Sequence, residues 1–442
     1  QESVAEPFLD ALRARMAKLR VGDPLDKCID IGAMVDPAHA ARVREKVAGC
    51  APITCFAPDI ALPDQGAFLS PMLITGLGPA DPLMQEEIFG PVLVSTTFRT
   101  PKEAVQLAND TRYGLAASVW SENLNLALDI APKLAAGVVW VNGTNMFDAA
   151  APFGGVRESG FGREGGWEGL AAYTRPRGKA RPLSKITGFT GEGAGETVAV
   201  DRTLKLYIGG KQVRPDGGYS SPVYGPKGRL MGHAPVANRK DLRNAVEAAT
   251  GAAAAWGAKP GHARAQVLYF MAENLAARSA DFAEMLNRQT GKRQGRREVE
   301  AAVDRLFTYA AWADKLDGAA RDVPIRGMAL SLREPVGVIG ALCPDEAPLL
   351  GVISTLGPIM AMGNAAVLVA SGPFPLVALE FVQVLETSDV PGGVVNILTG
   401  SHATLAEPMA RHAGIGSVWS FSSTDRSEQI ERESAGSLQR TW

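Results

Sequence analysis

Cysteine is scarce: Cys28, Cys50, Cys55 and Cys343 are the four in 442 residues, too few to staple a chain of this length. None stands in a CxxC pair, which sets aside a disulfide framework and a structural zinc site and points to a reducing, cytoplasmic setting. Charge of either sign is in no excess. A formal net charge of −2 provides no field to hold a phosphate backbone, so nucleic acid is not an expected partner. Gln1 to Leu9 have neither a basic leader nor the apolar stretch of a secretory signal. A long uninterrupted apolar run is also lacking. Ala347 to Ser371 comes nearest, but Gly351, Gly357, Pro358, Gly363 and Asn364 interrupt it and Asp345 and Glu346 stand before it. It reads as a buried strand-helix-strand unit, and no membrane is expected.

The remaining composition, 46% hydrophobic and 21% charged, is that of an ordinary globular protein, and the length suggests two or three folding units. Phe8, Leu9, Leu12, Met16 and Leu19 recur at helical spacing and predict an amphipathic helix over Val4 to Leu19. Ser121 to Leu134 predicts another helix and Val138 to Val141 a strand, within α/β material that runs to Tyr173. From Thr174 to about Val200 the pattern lapses into Pro-, Arg- and Gly-rich sequence, which marks a boundary. Short strands are expected between Leu204 and Met231. Helices follow at Lys240 to Ala255 and Gln266 to Ala277, then a helical stretch with Phe282, Met285 and Leu286 on one face.

In the last third, strands at 336–342, 365–369, 394–398 and 417–421 alternate with helices near 350–362, 375–386 and 403–412. That alternation predicts a doubly wound parallel (Rossmann-like) sheet, with ligand loops at the carboxyl ends of its strands around 344–348, 370–374, 399–402 and 422–425. Gly160-Phe161-Gly162-Arg163-Glu164-Gly165 matches the GxGxxG dinucleotide pattern, but the residues before it form a glycine-rich loop instead of a strand. Turns and close backbone approach are the better reading. Asp345 and Glu346 are adjacent carboxylates with no histidine near them in sequence, and read as solvated loop residues rather than an acid-base or metal pair.

Glu86-Glu87-Ile88-Phe89-Gly90-Pro91-Val92, Tyr113-Gly114-Leu115-Ala116-Ala117-Ser118-Val119, Trp140-Val141-Asn142, Pro152-Phe153-Gly154-Gly155, Ser159-Gly160, Gly162-Arg163-Glu164 and Tyr173-Thr174 occur in that order. Together they resemble the aldehyde dehydrogenase superfamily, over the part that follows its nucleophilic cysteine. The resemblance implies that Glu87 accepts hydrogen bonds from the ribose beside a nicotinamide, that Phe89 packs by that end of the cofactor, and that Phe153 borders the aldehyde site. An ionised carboxylate suits the ribose because it only accepts and can take two hydroxyl donors at once. The implied cofactor is NAD, with NADP left open, and the implied substrate a small-molecule aldehyde. In the family, nucleophile and general base lie upstream of this stretch, and Gln1-Glu2-Ser3 look like residues shortly after that cysteine. No catalytic residue is therefore assigned here, no metal is expected, and all four cysteines read as structural.

A second resemblance begins near Leu204. Leu206-Tyr207-Ile208-Gly209-Gly210-Lys211, Trp312-Ala313-Asp314, Glu334-Pro335-Val336-Gly337-Val338-Ile339 and Val390-Pro391-Gly392-Gly393-Val394-Val395-Asn396 follow the order of the amino-terminal, cofactor-binding half of the same superfamily. The site positions depart from it. The family's oxyanion asparagine has become Glu346, its ribose-holding lysine and glutamate align with Val369 and Gly372, and its Gly-Ser-Thr turn is Ser422-Ser423-Thr424. A carboxylate repels a developing oxyanion, and the loss of glycine removes close backbone approach to a phosphate.

The expected organisation is an aldehyde dehydrogenase-like α/β protein. Residues 1–180 would be the closing part of a catalytic domain, 181–203 a linker and 204–442 a degenerate second copy. The arrangement resembles family sixteen of the superfamily, with NAD(P)-dependent oxidation of aldehydes to acids by the parent protein, assembly as a homo-oligomer, and no activity of this segment alone. Two other readings stand beside it: a pseudoenzyme whose domains serve assembly, and a circularly permuted single enzyme, against which the losses at Glu346, Val369 and Gly372 argue.

Overall fold

The computed structural model of the chain describes residues 1–48, 54–174, 186–191, 203–316, 318–323 and 327–442. Cys50 and most of the expected linker lie outside the described residues. The chain divides into two compact units, residues 1–175 with 323–326 and residues 176–322 with 327–442.

The first unit runs α1 (Ala5–Met16), α2 (Pro37–Ala48), β1 (Thr54–Phe56), β2 (Met72–Thr75), α3 (Pro82–Gln85), β3 (Val92–Ser95), α4 (Pro101–Asn109), β4 (Ala116–Val119), α5 (Leu124–Ile130), β5 (Val138–Val141) and α6 (Gly166–Ala171). In α1, Leu9 and Met16 are buried seven residues apart, whereas Phe8 is exposed. One position away from Leu9 is a rotation of about 100°, so Phe8 falls off the buried stripe. The helix expected over 121–134 is shorter. Asn123 caps α5 by accepting from the Leu126 N–H at 3.1 Å, and Pro132 ends the α pattern in a single 3-10 turn, Ala131–Lys133. β2 is flanked by β1, antiparallel, and β3, parallel; β4 and β5 form a separate parallel pair.

The second unit runs β6 (Leu206–Ile208), β7 (Lys211–Val213), β8 (Ser220–Tyr224), β9 (Leu230–Pro235), α7 (Arg239–Gly257), α8 (Gly261–Ala277), α9 (Ser279–Thr290), α10 (Gly295–Trp312), β10 (Ala319–Asp322), β11 (Met328–Ser331), β12 (Val338–Leu342), α11 (Pro348–Ala361), β13 (Ala365–Val369), α12 (Leu376–Glu380), α13 (Val382–Glu386), β14 (Val395–Leu398), α14 (His402–Ala410), β15 (Ser417–Ser420), α15 (Thr424–Ser434) and β16 (Arg440–Thr441). Its sheet has the order β16-β15-β12-β13-β14-β6-β7; β12 to β15 are parallel as expected from the alternation, and β16, which was not expected, adds in parallel at the β15 edge. Every residue of β12, β13 and β14 is buried, because helices cover both faces of a parallel sheet. The antiparallel pair β6–β7, which extends the β14 edge, was not legible as part of this sheet.

The apolar stretch 347–371 is α11 and β13, and no helix among the described residues is long and apolar enough to cross a membrane. The single helix expected at 375–386 is α12 and α13, joined through Phe381, which keeps right-handed helical angles.

Helix α10, absent from the sequence reading, supplies a structural carboxylate. Ala347, which precedes α11, offers no capping side chain. Glu298 of α10 does this instead, accepting from the N–H groups of Leu349 at 2.9 Å and Leu350 at 3.2 Å. Burial pushes its carboxyl above the usual range, against the opposing pull of those two donors. A raised folded-state value means that its contribution to stability is fully present below the ordinary carboxylate pKa and is lost as pH rises through the raised one. Glu298→Gln keeps an acceptor and drops the charge, so thermal melts should lose part of their decline across that window. Glu298→Ala leaves two helix-end donors without an acceptor and should destabilise by about 1–3 kcal/mol at any pH. Equal melting curves for the two variants would refute this account.

Candidate functional site

The loop after α3 begins from a fixed point. Asp81 caps α3 by accepting from the Leu83 N–H at 2.9 Å, and Gln85 donates to the carbonyls of Pro79 at 2.8 Å and Asp110 at 2.7 Å. Lys46 of α2 then holds the next two residues. Its ammonium pairs with the Glu86 carboxylate at 2.8 Å and donates to the Glu87 carbonyl at 3.2 Å. The hydrogen bond from Lys46 keeps the Glu86 carboxyl below the ordinary carboxylate range. Ile88 packs against the cluster of Ala40, Val43, Ala67 and Leu69, which anchors the loop from below.

The two residues assigned to the cofactor are thereby presented outward. Glu87 is exposed, and among the described residues its carboxylate forms no ion pair, so both oxygens remain available as acceptors. Phe89 is 71% exposed, has φ +56°, and stacks on His39 with ring centroids 5.8 Å apart. A bulky residue in left-handed backbone is an uncommon, strained arrangement of the kind that concentrates at binding sites.

Phe153 belongs to a different cluster. Its N–H and carbonyl exchange hydrogen bonds with those of Glu164, both at 2.7 Å. Its ring meets Phe147 edge-on at 4.9 Å, and Phe147 meets Trp140 of β5 at 5.6 Å. Trp140 in turn donates from Nε1 to the Met146 carbonyl at 2.9 Å. Among the described residues no hydrogen bond, ion pair or ring contact joins Phe153 to the Glu87–Phe89 loop.

The glycines around Phe153 serve close approach. A Cβ on Gly154 would stand 2.1 Å from the Gly162 carbonyl oxygen, and one on Gly137 1.7 Å from that of Gly154. Gly160 and Gly165 have φ of +92° and +68°. The stretch before the GxGxxG match is a loop closed by the 3-10 turn Arg157–Ser159, without a strand, as expected.

The strand ends of the second unit are tied to one another by the chain's own groups. Asp345 Oδ1 accepts from Ser371 Oγ at 2.7 Å and from the Gly372 N–H at 3.2 Å. The expectation of a merely solvated carboxylate is thus corrected for Asp345, because hydrogen bonding to the loop after β13 holds it. Glu346 beside it is exposed. His402 spans the Ala370 carbonyl, 2.9 Å from Nε2, and Ser422 Oγ, 3.2 Å from Nδ1. Ser423 caps α15. Val369 is fully buried, and Gly372 has no side chain and directs its N–H to Asp345. These residues do not fit the adenosine ribose of a dinucleotide. The sequence reading missed the roles of Lys46, His402 and Glu298, since each has a partner more than 30 positions away, in Glu87, Ala370 and Leu349 respectively.

Cys28 and Cys55 are exposed, so burial gives them no structural role; Cys343 is buried, and desolvation pushes its thiol up to about 12. A thiol held that high is inert as a nucleophile. Among the described residues no group of three or more potential ligands is arranged for a metal.

The family model described as "Aldehyde dehydrogenase family" matches residues 1–178 and 215–442. Betaine aldehyde dehydrogenase 2 of Rhizobium meliloti is 38% identical over 177 residues, covering 40% of this chain and 37% of the relative. The NADP/NAD-dependent aldehyde dehydrogenase PuuC of Escherichia coli is 37% identical over 174 residues, 39% of this chain and 35% of that protein. Among solved structures, the NAD+ complex of an aldehyde dehydrogenase from Bacillus cereus is similar with a TM-score of 0.53 and 25% identity, over 54% of this chain and 50% of that one. The chain thus spans 37% and 35% of the length of these two curated relatives.

Proposed function

The chain belongs to the aldehyde dehydrogenase family and shares its α/β fold with parallel sheets, and from that premise we propose that it is part of an NAD(P)-dependent enzyme that oxidises aldehydes to carboxylic acids. Glu87 accepts the ribose hydroxyls at the nicotinamide end, Phe89 lies against that end, and Phe153 borders the small-molecule aldehyde. Oxidised nicotinamide supplies the hydride acceptor. The observation that carries this reading is the Glu87 carboxylate, presented without an ion pair on a loop that Lys46 and Ile88 hold in place. A ribose-binding carboxylate has to be ordered through its backbone and left unsatisfied at its tip.

Residues 1–180 on this proposal close a catalytic domain, 181–203 link, and 204–442 form a non-catalytic second domain, an arrangement like family sixteen of the superfamily. Its support is the contrast between the two units. Glu87 is available for a ligand, whereas Asp345, His402 and the Gly372 N–H are committed to one another's loops. On this proposal the segment is inactive alone, in line with the inert Cys343 thiol. The parent protein acts as a cytoplasmic homo-oligomer.

Calorimetric titration with NAD tests this directly, using this chain and a longer form of the protein that includes the family's nucleophile region, the latter also assayed with a simple aldehyde. Binding and turnover are expected only in the longer form. Tight binding of NAD by this chain alone would refute the reading of Val369 and Gly372.

A further inference from the structure

Helix α7 starts with the wrong sign of charge. Its first turns carry Arg239, Lys240 and Arg243, at the end where aligned peptide dipoles already place positive potential. Arg239 and Arg243, four residues apart, share one face, a like-charge spacing that destabilises a helix. Opposite them stands the carboxyl end of α14. Between the two lies a cavity of about 460 Å³, lined by these cations, by Leu242, Pro408, Arg411 and His412, and by one carboxylate, Glu407, which pairs with Arg411, a volume typical of small-molecule sites.

The surrounding acids neutralise only part of this charge. Lys240 is held by Asp216 at 2.6 Å, and Arg411 by Glu407 at 3.1 Å and Glu433 at 2.6 Å. Arg243 meets Glu247 at 3.4 Å in an exposed pair along the helix, a contact of little strength in water. Arg239 has no ion pair among the described residues. Asp241, the acid nearest in sequence, is buried and directs its carboxylate to the backbone N–H groups of Asp216 and Asn238. His412 adds a donor: its Nδ1 accepts from the Gly414 N–H at 3.1 Å, which leaves the ring proton on Nε2.

We propose that this cavity binds a small phosphate monoester, its phosphate held by Arg239, Arg243 and the Nε2–H of His412 and its apolar body resting on Leu242 and Pro408. The site is separate from the strand-end crevice. His402, at the crevice, opens α14, whereas His412, at the cavity, lies two residues beyond its last residue, Ala410, so that about 12 Å of helix stand between them.

The whole chain would be titrated with phenyl phosphate by calorimetry at constant ionic strength, beside the variant Arg239→Gln/Arg243→Gln. Both positions are exposed, and circular dichroism would check that the variant remains folded. Saturable binding is expected, weakened at least tenfold in the double variant. Inorganic phosphate, which lacks the apolar body, is expected to bind more weakly. A response no greater than that to added chloride, or binding unaltered in the double variant, would overturn the proposal, and equal affinity for the two phosphates would overturn the role of Leu242 and Pro408.

Discussion

Gly137→Ala is expected to destabilise the first unit by about 3 kcal/mol or more, at the upper end of overpacking effects. Gly137 enters β5 with its N–H directed to the carbonyls of Gly114 at 3.1 Å and Leu115 at 3.2 Å. The added methyl would stand 1.7 Å from the Gly154 carbonyl oxygen, 2.7 Å from its carbon and 3.0 Å from the Gly155 Cα. All three are backbone atoms, so no rotamer change relieves the clash. Either β5 leaves β4, or the Phe153–Gly155 loop moves outward and takes the Phe153 ring from Phe147. The unit's buried clusters are small, the largest with four buried members, and offer little to absorb the strain. Gly162→Ala is the control, because nothing lies within 4 Å of its Cβ position. Chemical denaturation followed by circular dichroism would measure both, and a Gly137→Ala protein as stable as the control would disprove the packing described.

Glu87→Ala, made in the longer protein, is expected to raise the KM for NAD roughly 10- to 100-fold, the value of losing hydrogen bonds to an ionised acceptor at about 1.5–3 kcal/mol. Glu87→Gln should fall between that variant and the native protein, since an amide retains one acceptor oxygen and turns a donor toward the other hydroxyl. Glu86→Ala separates ribose binding from loop order: Glu86 pairs with Lys46, while Lys46 still reaches the Glu87 carbonyl without it. Its effect on KM should be no more than a few-fold. Steady-state kinetics with NAD varied would decide, and an unchanged KM in Glu87→Ala would remove Glu87 from the cofactor site.

The parts legible from sequence were those in which local pattern and burial agree. β12, β13 and β14 are continuous apolar runs because the sheet buries both of their faces, and their positions were readable to within two residues. Helix α10 was not, since Ala302 and Ala310 occupy core-facing positions together with Val299 and Leu306, and alanine gives too weak an apolar signal to mark a face. At the candidate site, the ordered motifs pointed to Glu87, Phe89 and Phe153. The clamp from Lys46 was invisible because it crosses 41 residues of chain, and the left-handed backbone of Phe89 breaks the local preference of its own side chain. Such nonlocal or strained features are where sequence rules fail at sites.

Asp345 also bears on whether the ligand site that the proposal takes to be lost from the second unit could be rebuilt. Restoring a lysine at Val369 and a glutamate at Gly372 would look, on paper, like repair of the second unit. Val369 has no solvent exposure, so an ammonium introduced there would have to leave the strand's packed face or stay buried without a counter-ion. The glutamate would arrive beside Asp345, which already holds the Gly372 N–H and the Ser371 hydroxyl, and the two carboxylates would repel. An engineer would first have to undo the internal bracing before any anchor could be useful, and each undoing step weakens the fold before it gains a ligand. On the proposed reading of a second unit without a ligand, the crevice acts as a ratchet: a restored anchor gains nothing until the bracing around Asp345 is undone.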